Sequence, residues 1–372
     1  MRTSFARVAA RNRVAARNRV VRATAAARAV GIAAAALAAA SVIAACGSSS
    51  SASSGGGSAS PVTLHLGYLT NITHATALVG VHNGIFARDL GSGVTLKTET
   101  FNAGPDEVTA LFSGALDAAY VGPGPAINAW QKSQGQAIRI ISGAASGGAS
   151  LMVKKGIASV AALKGRTLAT PQLGNTQDVA LRYFLLQHGL KTDTQGGGDV
   201  HIKPQKNPIT VQEFKSGQID GGWLPEPYAS ELVAAGGTKL VDERSLWPSG
   251  QFATTVLVVR TAFAQQHANI VAKLLKGQVD VTDYIGKQPA AAQAAANAEL
   301  TALTGKGLKP AVLSSAFKEI TFTDDPIASS VVAGAQHAEK VGLLQPVDLK
   351  GIFDLSPLNN VLSAAGEQAV SS

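Results

Sequence analysis

The chain of 372 residues contains a single cysteine, Cys46, so it can form no internal disulfide and no zinc site built from several thiolates. Its seven histidines include no His-x-x-x-His pair of the metalloprotease type. Nucleophile-elbow, Walker and dinucleotide-binding motifs are also missing. We therefore expect a protein that is not an enzyme and that has no catalytic residue, bound metal or cofactor. A secreted enzyme with scattered catalytic residues remains a remote alternative.

Acidic residues are missing from the first 45 residues, whereas residues 1–28 hold eight arginines. The whole chain has 32 basic and 24 acidic residues, and this arginine-rich segment accounts for the entire excess of +8. Residues 46–372 therefore carry 24 residues of each sign. Because nucleic-acid binding requires a basic surface, a balanced chain of this kind argues against nucleic acid as a partner.

A basic segment followed by a short alanine-rich run predicts that residues 1–45 are a secretory signal peptide. The run ends in Ile43-Ala44-Ala45-Cys46, which resembles the lipobox of bacterial lipoproteins. That resemblance implies cleavage before Cys46, lipidation of its sulfur and anchoring at the outer face of the cytoplasmic membrane. Residues 46–60 contain only small side chains, which predicts a flexible tether of roughly 20 Å.

Residues 61–372 alternate short strand-like and helical runs, which predicts an α/β fold with enough chain for two cores. Two similar segments, Ser113–Pro125 and Ser216–Tyr228, lie 103 residues apart. Each pattern predicts a helix ended by glycine, a short buried strand and a Gly/Pro-rich break before a new helix, which would begin at Ala126 or Tyr228. One copy in each half would place two strand ends face to face, where parallel sheets bind ligands.

The segments "LFSGALDAAYVGPGPAINA", "ATPQLGNTQDVALRYFL" and "SGQIDGGWLPEPYASELV" resemble solute-binding proteins of ABC importers. The branch for aliphatic sulfonates, nitrate and taurine is the most similar. The resemblance implies a type II periplasmic-binding-protein-like fold with two lobes and two crossover strands. Lobe 1 would comprise residues 61–152 and 252–372, and lobe 2 residues 153–251. It also implies a monomer that works with an importer permease and, through it, an ATPase.

The expected ligand is a small molecule, with an aliphatic sulfonate favoured by the resemblance. Nitrate, taurine and a pyrimidine or other heterocyclic vitamin precursor are alternatives, and a sensor on the same fold is a remote one. The loops at the predicted strand ends contain almost no Lys or Arg, so an anion would be held by neutral donors and helix N-termini.

Three candidate ligand-binding residues have structural alternatives. His74 is either a ligand donor or a capping or surface residue, and Trp223 either closes over an alkyl group or packs in a core. Glu226 could bind a ligand amine, but a structural role at the next helix is favoured, and the segment after Gly174 could cap its helix as well as bind. The candidate ligand-binding residues are Thr70, Asn71, His74, Gly122, Pro123, Gly124, Ser146, Gly147, Gly174, Asn175, Thr176, Gln177, Trp223 and Glu226.

Overall fold

A computed structural model of the chain describes residues 61–372. The predicted signal peptide (1–45), the predicted tether (46–60) and the lipidation site Cys46 lie outside the described residues. Within residues 61–372 there are eleven β-strands and thirteen α-helices, which largely alternate up to Arg260, whereas the chain beyond it is mostly helical. None of these helices has both the length and the apolar composition that crossing a membrane requires.

The strands are β1 (Val62–Leu69), β2 (Val94–Phe101), β3 (Ala118–Val121), β4 (Ile138–Gly147), β5 (Ala149–Val153), β6 (Thr167–Thr170), β7 (His201–Pro204), β8 (Gly221–Pro225), β9 (Thr238–Asp242), β10 (Ala253–Arg260) and β11 (Ile320–Phe322). They form one sheet in the order β11-β4-β10-β3-β1-β2 and a second in the order β7-β6-β8-β5-β9. We call the halves that contain them lobe 1 and lobe 2.

The helices are α1 (Ala75–His82), α2 (Ile85–Leu90), α3 (Gly104–Ser113), α4 (Pro123–Lys132), α5 (Thr176–Gln187), α6 (Asn207–Ser216), α7 (Tyr228–Ala234), α8 (Thr261–Gln266), α9 (Ala268–Lys287), α10 (Pro289–Thr304), α11 (Pro310–Lys318), α12 (Ala328–Lys340) and α13 (Ser356–Ala365). They cover the sheets, and each lobe has an apolar cluster of its own. A further cluster joins side chains of lobe 1 to Val179 of α5.

Both sheets are mixed, and each has the same parallel centre. Strand β1 pairs in parallel with β2 and β3, and β6 does so with β7 and β8. In the first sheet β10 pairs in antiparallel fashion with β3, and in the second sheet β5 pairs in the same way with β8. The chain passes from the first sheet to the second between β4 and β5 and returns between β9 and β10. This is the expected two-lobe α/β fold with two crossings.

The two similar segments form the same structure in both lobes. A helix ends at a glycine in the left-handed conformation, Gly114 at φ 76° and Gly217 at φ 83°. A short strand in which every residue is buried follows in each case, β3 and β8. The prediction of a glycine-ended helix before a buried strand is therefore confirmed. The small side chains at these strands suit them to close packing beneath helices.

The aspartate shared by the two segments makes one equivalent interaction in each lobe. The carboxylate of Asp117 accepts the backbone N–H of His65, and that of Asp220 accepts the backbone N–H of Thr167, both at 3.0 Å. Each aspartate also donates its own N–H to the carbonyl of the same partner residue. This reciprocal pair fixes the start of β3 against β1 and of β8 against β6.

Some predicted boundaries differ from the structure. Helix α4 begins at Pro123, not at the expected Ala126, because proline is well suited to the first turn of a helix, where its missing N–H has no intrahelical acceptor. Strands β9 and β11 were not predicted from the sequence. The predicted lobe boundary between residues 152 and 153 falls inside β5, which pairs wholly within the second sheet. The division into residue ranges stays a prediction.

Candidate functional site

A cavity lies between the lobes, where the carboxyl ends of the central parallel strands of both sheets meet. This is the edge at which open α/β sheets bind ligands. We call it the polar cavity. Its lining residues are Leu69, Asn71, Thr73, His74, Asn102, Gly122, Pro171, Asn175, Gln177, Asn207, Pro225 and Thr254.

The lining of the polar cavity is rich in carboxamides and contains no Lys, Arg, Asp or Glu. Four asparagines and Gln177 contribute amide groups, each of which offers two N–H donors and one acceptor oxygen. Thr73 and Thr254 add hydroxyl groups. The cavity therefore presents many hydrogen-bond donors without providing an opposite charge.

Four helices of ten or more residues begin at the wall of this cavity. Asn102 lies two residues before α3, Gly122 and Asn175 are the N-cap residues of α4 and α5, and Asn207 is the first residue of α6. Each helix N-terminus carries about half a positive elementary charge. Their convergence makes the cavity favourable for an anion even though no cationic side chain lines it.

Several polar atoms at the polar cavity lack a partner. Within residues 61–372, the backbone N–H groups of Gln177 and Asn207 make no hydrogen bond. The side-chain Oδ1 of Asn207 is also buried without a partner there. Because unpaired buried polar groups are costly, these groups are suited to receive a ligand.

His74 is an uncharged donor at the cavity wall. Its Nδ1 accepts the backbone N–H of Leu69 at 3.2 Å, so the proton of the ring resides on Nε2. Burial lowers the pKa of His74 to about 3, and the ring is therefore neutral at physiological pH. Within the described residues, Nε2 makes no hydrogen bond and the side chain caps no helix.

Thr176 lies at a contact between the lobes and does not line the polar cavity. Its Oγ1 accepts the backbone N–H of Gly124 at 3.1 Å, which joins the start of α5 to the start of α4. A Cβ added to Gly122 would lie 2.5 Å from the same Oγ1. Glycine at position 122 is therefore what allows the two helix N-termini to approach this closely.

A buried ion pair holds the loop that contains Gly174 and Asn175. The carboxylate of Asp178 accepts the N–H of Gly174 at 3.0 Å, the hydroxyl of Thr170 at 2.8 Å and Nε of Arg182 at 3.1 Å. Both members of the pair are almost fully buried. Asn175 caps α5, since its Oδ1 accepts the N–H of the next residue at 3.0 Å.

The structure brings five of the fourteen candidate residues together in the polar cavity: Asn71, His74, Gly122, Asn175 and Gln177. Whether any of them contacts a ligand stays a prediction. Pro123, Gly124 and Thr176 line a neighbouring, apolar cavity. Thr70 and Gly174 lie in the loops that follow β1 and β6, and neither lines the polar cavity.

Ser146 and Gly147 are the last two residues of β4, immediately before the chain crosses to the other lobe. The hydroxyl of Ser146 accepts the backbone N–H of Phe252 at 3.3 Å. Gly147 adopts a left-handed conformation at φ 78°, and the guanidinium of Arg244 covers the position that a Cβ would take. Their contacts therefore stabilise the crossing, and neither residue lines the polar cavity.

Trp223 is fully buried in the core of lobe 2, where its indole N–H donates to Oε2 of Glu243 at 2.6 Å. Glu226 is also buried, and its carboxylate accepts the N–H of Ser230 in the first turn of α7 at 3.1 Å. Burial raises the pKa of Glu226 to about 7. Its backbone carbonyl accepts the N–H of Ile72 from the other lobe at 3.1 Å. Trp223 thus packs in a core, and the carboxylate of Glu226 has a structural role at the next helix, as the alternative given for each residue states.

Sequence reasoning missed seven residues of the polar cavity. Asn102 and Asn207 were the most accessible to prediction, because each follows a strand-like run and precedes a helix. The apolar members and the two threonines carry no local signal, since the fold alone brings them to the cavity. The missed residues are Leu69, Thr73, Asn102, Pro171, Asn207, Pro225 and Thr254.

Comparisons with known proteins agree with this architecture. A Brucella abortus protein named as a candidate binding protein is 25% identical over 235 residues, or 62% of this chain and 69% of that protein. The taurine-binding periplasmic protein of Escherichia coli is 27% identical over 222 residues, or 60% of this chain and 66% of that protein.

The alkanesulfonate-binding protein of Xanthomonas axonopodis pv. citri, solved bound to MOPS, shares the fold with a TM-score of 0.66 and 18% identity. The superposition covers 80% of this chain and all of that one. A model of the NMT1-like family matches residues 57–300, which include the central strands of both lobes and every lining residue of the polar cavity. The chain belongs to the NMT1-like family.

Proposed function

We propose that this protein is the extracytoplasmic solute-binding component of an ABC importer, which captures a small anion between its lobes and delivers it to the permease. The observation that carries the proposal is the polar cavity, where four helix N-termini and five carboxamides converge from both lobes. The relatives whose names state a ligand include a taurine-binding protein, an alkanesulfonate-binding protein and a nitrate-binding protein, which supports a small solute with an acidic group.

An aliphatic sulfonate fits the donor set best. A sulfonate has three oxygens that share one negative charge, and the cavity offers carboxamide N–H groups, the Nε2–H of His74 and two unpaired backbone N–H groups. Hydrogen bonds to charged groups contribute about 1.5–3 kcal/mol each, so neutral donors are sufficient to hold an anion in a buried site.

A ligand with its own N–H group is the second candidate. The buried Oδ1 of Asn207 is an acceptor without a partner in the described residues. An amino group, as in taurine or an aminopyrimidine, would satisfy it. However, the lining contains no carboxylate to balance an ammonium charge, and for this reason the simple sulfonate is preferred.

Methanesulfonate is expected to bind and to bring the lobes together. At a concentration 100 times its dissociation constant, it should stabilise the protein by about 2.7 kcal/mol through mass action. Thermal unfolding and titration calorimetry would measure this, with small-angle scattering to detect compaction. Because no Lys or Arg lines the cavity, raising the salt concentration should change the affinity little.

Nitrate, taurine and an aminopyrimidine, measured in parallel, provide the comparison. Tighter binding of the aminopyrimidine than of methanesulfonate would favour the second candidate. A steep loss of affinity with salt would contradict binding by neutral donors, and a scattering curve that stays unchanged at saturation would contradict closure.

We further propose that a lipid on Cys46 anchors the mature protein at the outer face of the cytoplasmic membrane, because Ile43–Cys46 resembles a lipobox and a small-residue segment follows it. Cys46→Ala should leave the precursor uncleaved and unlabelled by a fatty-acid probe in cells. Normal labelling of the variant would show that the anchor lies elsewhere.

A further inference from the structure

A further cavity lies where the chain crosses between the lobes, and we call it the crossing cavity. Both crossings contribute to its wall, since Ser146 lies at the end of β4 and Gln251 precedes β10. It shares no lining residue with the polar cavity or the apolar cavity. Its volume of about 260 Å³ is enough for a small organic molecule and not only for a water. The lining residues are Ser146, Arg244, Ser249, Gly250, Gln251, Thr321, Thr323, Asp325 and Ile327.

The one cationic side chain of the crossing cavity is held between the lobes. Arg244 follows β9 of lobe 2, and Thr321 belongs to β11 of lobe 1. Nη2 of Arg244 donates to the hydroxyl of Thr321 at 3.1 Å. The same guanidinium covers the position that a Cβ of Gly147 would take. Contacts with lobe 1 therefore fix the orientation of a guanidinium whose backbone belongs to lobe 2.

The guanidinium of Arg244 has no acidic partner in the part of the chain that the structure describes. No carboxylate oxygen of residues 61–372 lies within 4.0 Å of it. Asp242 accepts only the backbone N–H of Arg244, at 3.0 Å, and its carboxylate pairs instead with Lys239 at 3.4 Å. A guanidinium has five N–H donors and can hold a carboxylate through two parallel hydrogen bonds. Arg244 is therefore suited to receive an anionic group from a ligand.

Asp325 carries the only negative charge in the lining of the crossing cavity. Its Oδ1 accepts the backbone N–H of Ile327 at 2.7 Å, and its own N–H donates to the hydroxyl of Thr323 at 3.1 Å. Within residues 61–372, its carboxylate has no cationic partner within 4.0 Å. The lining therefore contains one cation and one anion that do not pair with each other, and its net charge is zero.

Two residues of the crossing cavity adopt a backbone conformation that their side chains disfavour. Ser249 has φ 52° and Ile327 has φ 48°, and within residues 61–372 Gln134 is the only other residue besides glycine with a positive φ. For a β-branched residue such as Ile327, this conformation is a true outlier. Strained backbone concentrates at binding sites and other functional sites. Two of the three strained residues in one wall therefore favour a ligand site over a gap in packing.

We infer that the crossing cavity binds a small zwitterion of the neutral amino acid class, with its carboxylate on Arg244 and its ammonium group on Asp325. A zwitterion satisfies both charges of the lining and matches their sum of zero. A simple anion would leave Asp325 unpaired beside it, and a simple cation would leave Arg244 unpaired. The inference goes beyond the proposed function and does not depend on it, because the two cavities share no residue.

The inference is tested with L-alanine, L-lactate and L-alaninamide as probes in NMR titrations, which also measure weak binding. Lactate has a hydroxyl in place of the ammonium group, and alaninamide has a carboxamide in place of the carboxylate. The three probes therefore differ in charge and hardly in size. Because a hydrogen bond between charged groups contributes about 10- to 100-fold in affinity, alanine should bind at least about tenfold more tightly than either of the others.

Two variants remove one charge each. Asp325→Asn keeps an acceptor for the N–H of Ile327. It should weaken alanine at least about tenfold but leave lactate within about twofold, because lactate has no ammonium group to lose a partner. Arg244→Gln should weaken alanine by a similar factor but leave alaninamide within about twofold. Loss of the contact with Thr321 alone would instead affect alanine and alaninamide equally, so the pair of probes separates charge from structure.

Asp283→Asn is the matched control, because Asp283 is an exposed acid in α9 that does not line the crossing cavity. It makes the same change of charge as Asp325→Asn and should leave the affinities of all three probes unchanged. The melting temperatures of the three ligand-free variants show that they are folded.

The outcomes separate the inference from the proposed function. Failure of alanine to bind, equal affinities for the three probes, or alanine binding that neither charge variant weakens would each overturn the zwitterion site. Methanesulfonate that displaces alanine at a concentration just saturating the polar cavity would place the amino acid there, against the inference. If methanesulfonate fails to bind while alanine shows the expected pattern, the sulfonate proposal is overturned and the zwitterion site stands.

Discussion

Gly122→Ala is expected to weaken ligand binding by roughly 10- to 100-fold, because an added methyl group would lie 2.5 Å from Thr176 Oγ1 across the lobe contact. Overpacking of this kind costs about 1–3 kcal/mol. The cost arises only when the lobes are together, so the ligand-free protein should keep its melting temperature. Titration calorimetry and thermal unfolding measure the two effects separately.

A rescue experiment distinguishes this collision from a lost ligand contact. With Thr176→Ala added, the nearest remaining atoms that position 122 faces are Oδ1 of Asn175 and the Cβ of residue 176, both at 3.6 Å, which is ordinary contact. The double variant should therefore bind more tightly than Gly122→Ala alone. Gly124→Ala provides the contrast, because its Cβ would lie 3.0 Å from the backbone N of Thr176 and no side-chain change can relieve that. Equal binding by Gly122→Ala and the wild type would contradict the closed geometry.

Asp178→Ala is expected to destabilise the protein by about 3–5 kcal/mol, since it leaves the guanidinium of Arg182 buried without its carboxylate. The N–H of Gly174 and the hydroxyl of Thr170 lose their acceptor at the same time. Denaturant unfolding of the ligand-free protein measures the loss. Asp178→Asn, which keeps an acceptor oxygen but not the charge, should fall between the variant and the wild type.

A surface pair with the same spacing is the control. Asp283 and Lys287 are also four residues apart on a helix, with 2.6 Å between their charged atoms, but both are exposed. Asp283→Ala should change stability little, because water screens exposed pairs. If Asp178→Ala and Asp283→Ala lowered the free energy of unfolding by similar amounts, burial of the ion pair would not be the cause of the loss.

The sequence predicts those parts of the fold that local chemistry determines. Gly114 and Gly217 are glycines at positions where a helix ends with a positive φ, and the small, aliphatic runs after them form short buried strands. The same reasoning identified the loop at Asn175, since a carboxamide before an amphipathic run is a typical helix N-cap. These signals lie within about ten residues of one another, so the sequence displays them directly.

The rest of the site depends on contacts between distant residues. Asn102 and Asn207 reach the polar cavity only because parallel strands from two lobes end at one place. The sequence also does not show that Thr176 faces Gly124, since 52 residues and a lobe boundary separate them. Trp223 and Trp247 illustrate the same difficulty, because one is fully buried in a core and the other lines the apolar cavity.

The hydrogen bond from Ile72 N–H to the carbonyl of Glu226 joins the lobes through backbone atoms alone. Every residue type has that carbonyl, and every type except proline has that N–H. Substitutions at these two positions can therefore leave the bond in place, whereas the carboxamides of the polar cavity change with each replacement. Proteins that evolve from this chain can therefore change the solute they recognise and still keep the same backbone hydrogen bond between the lobes.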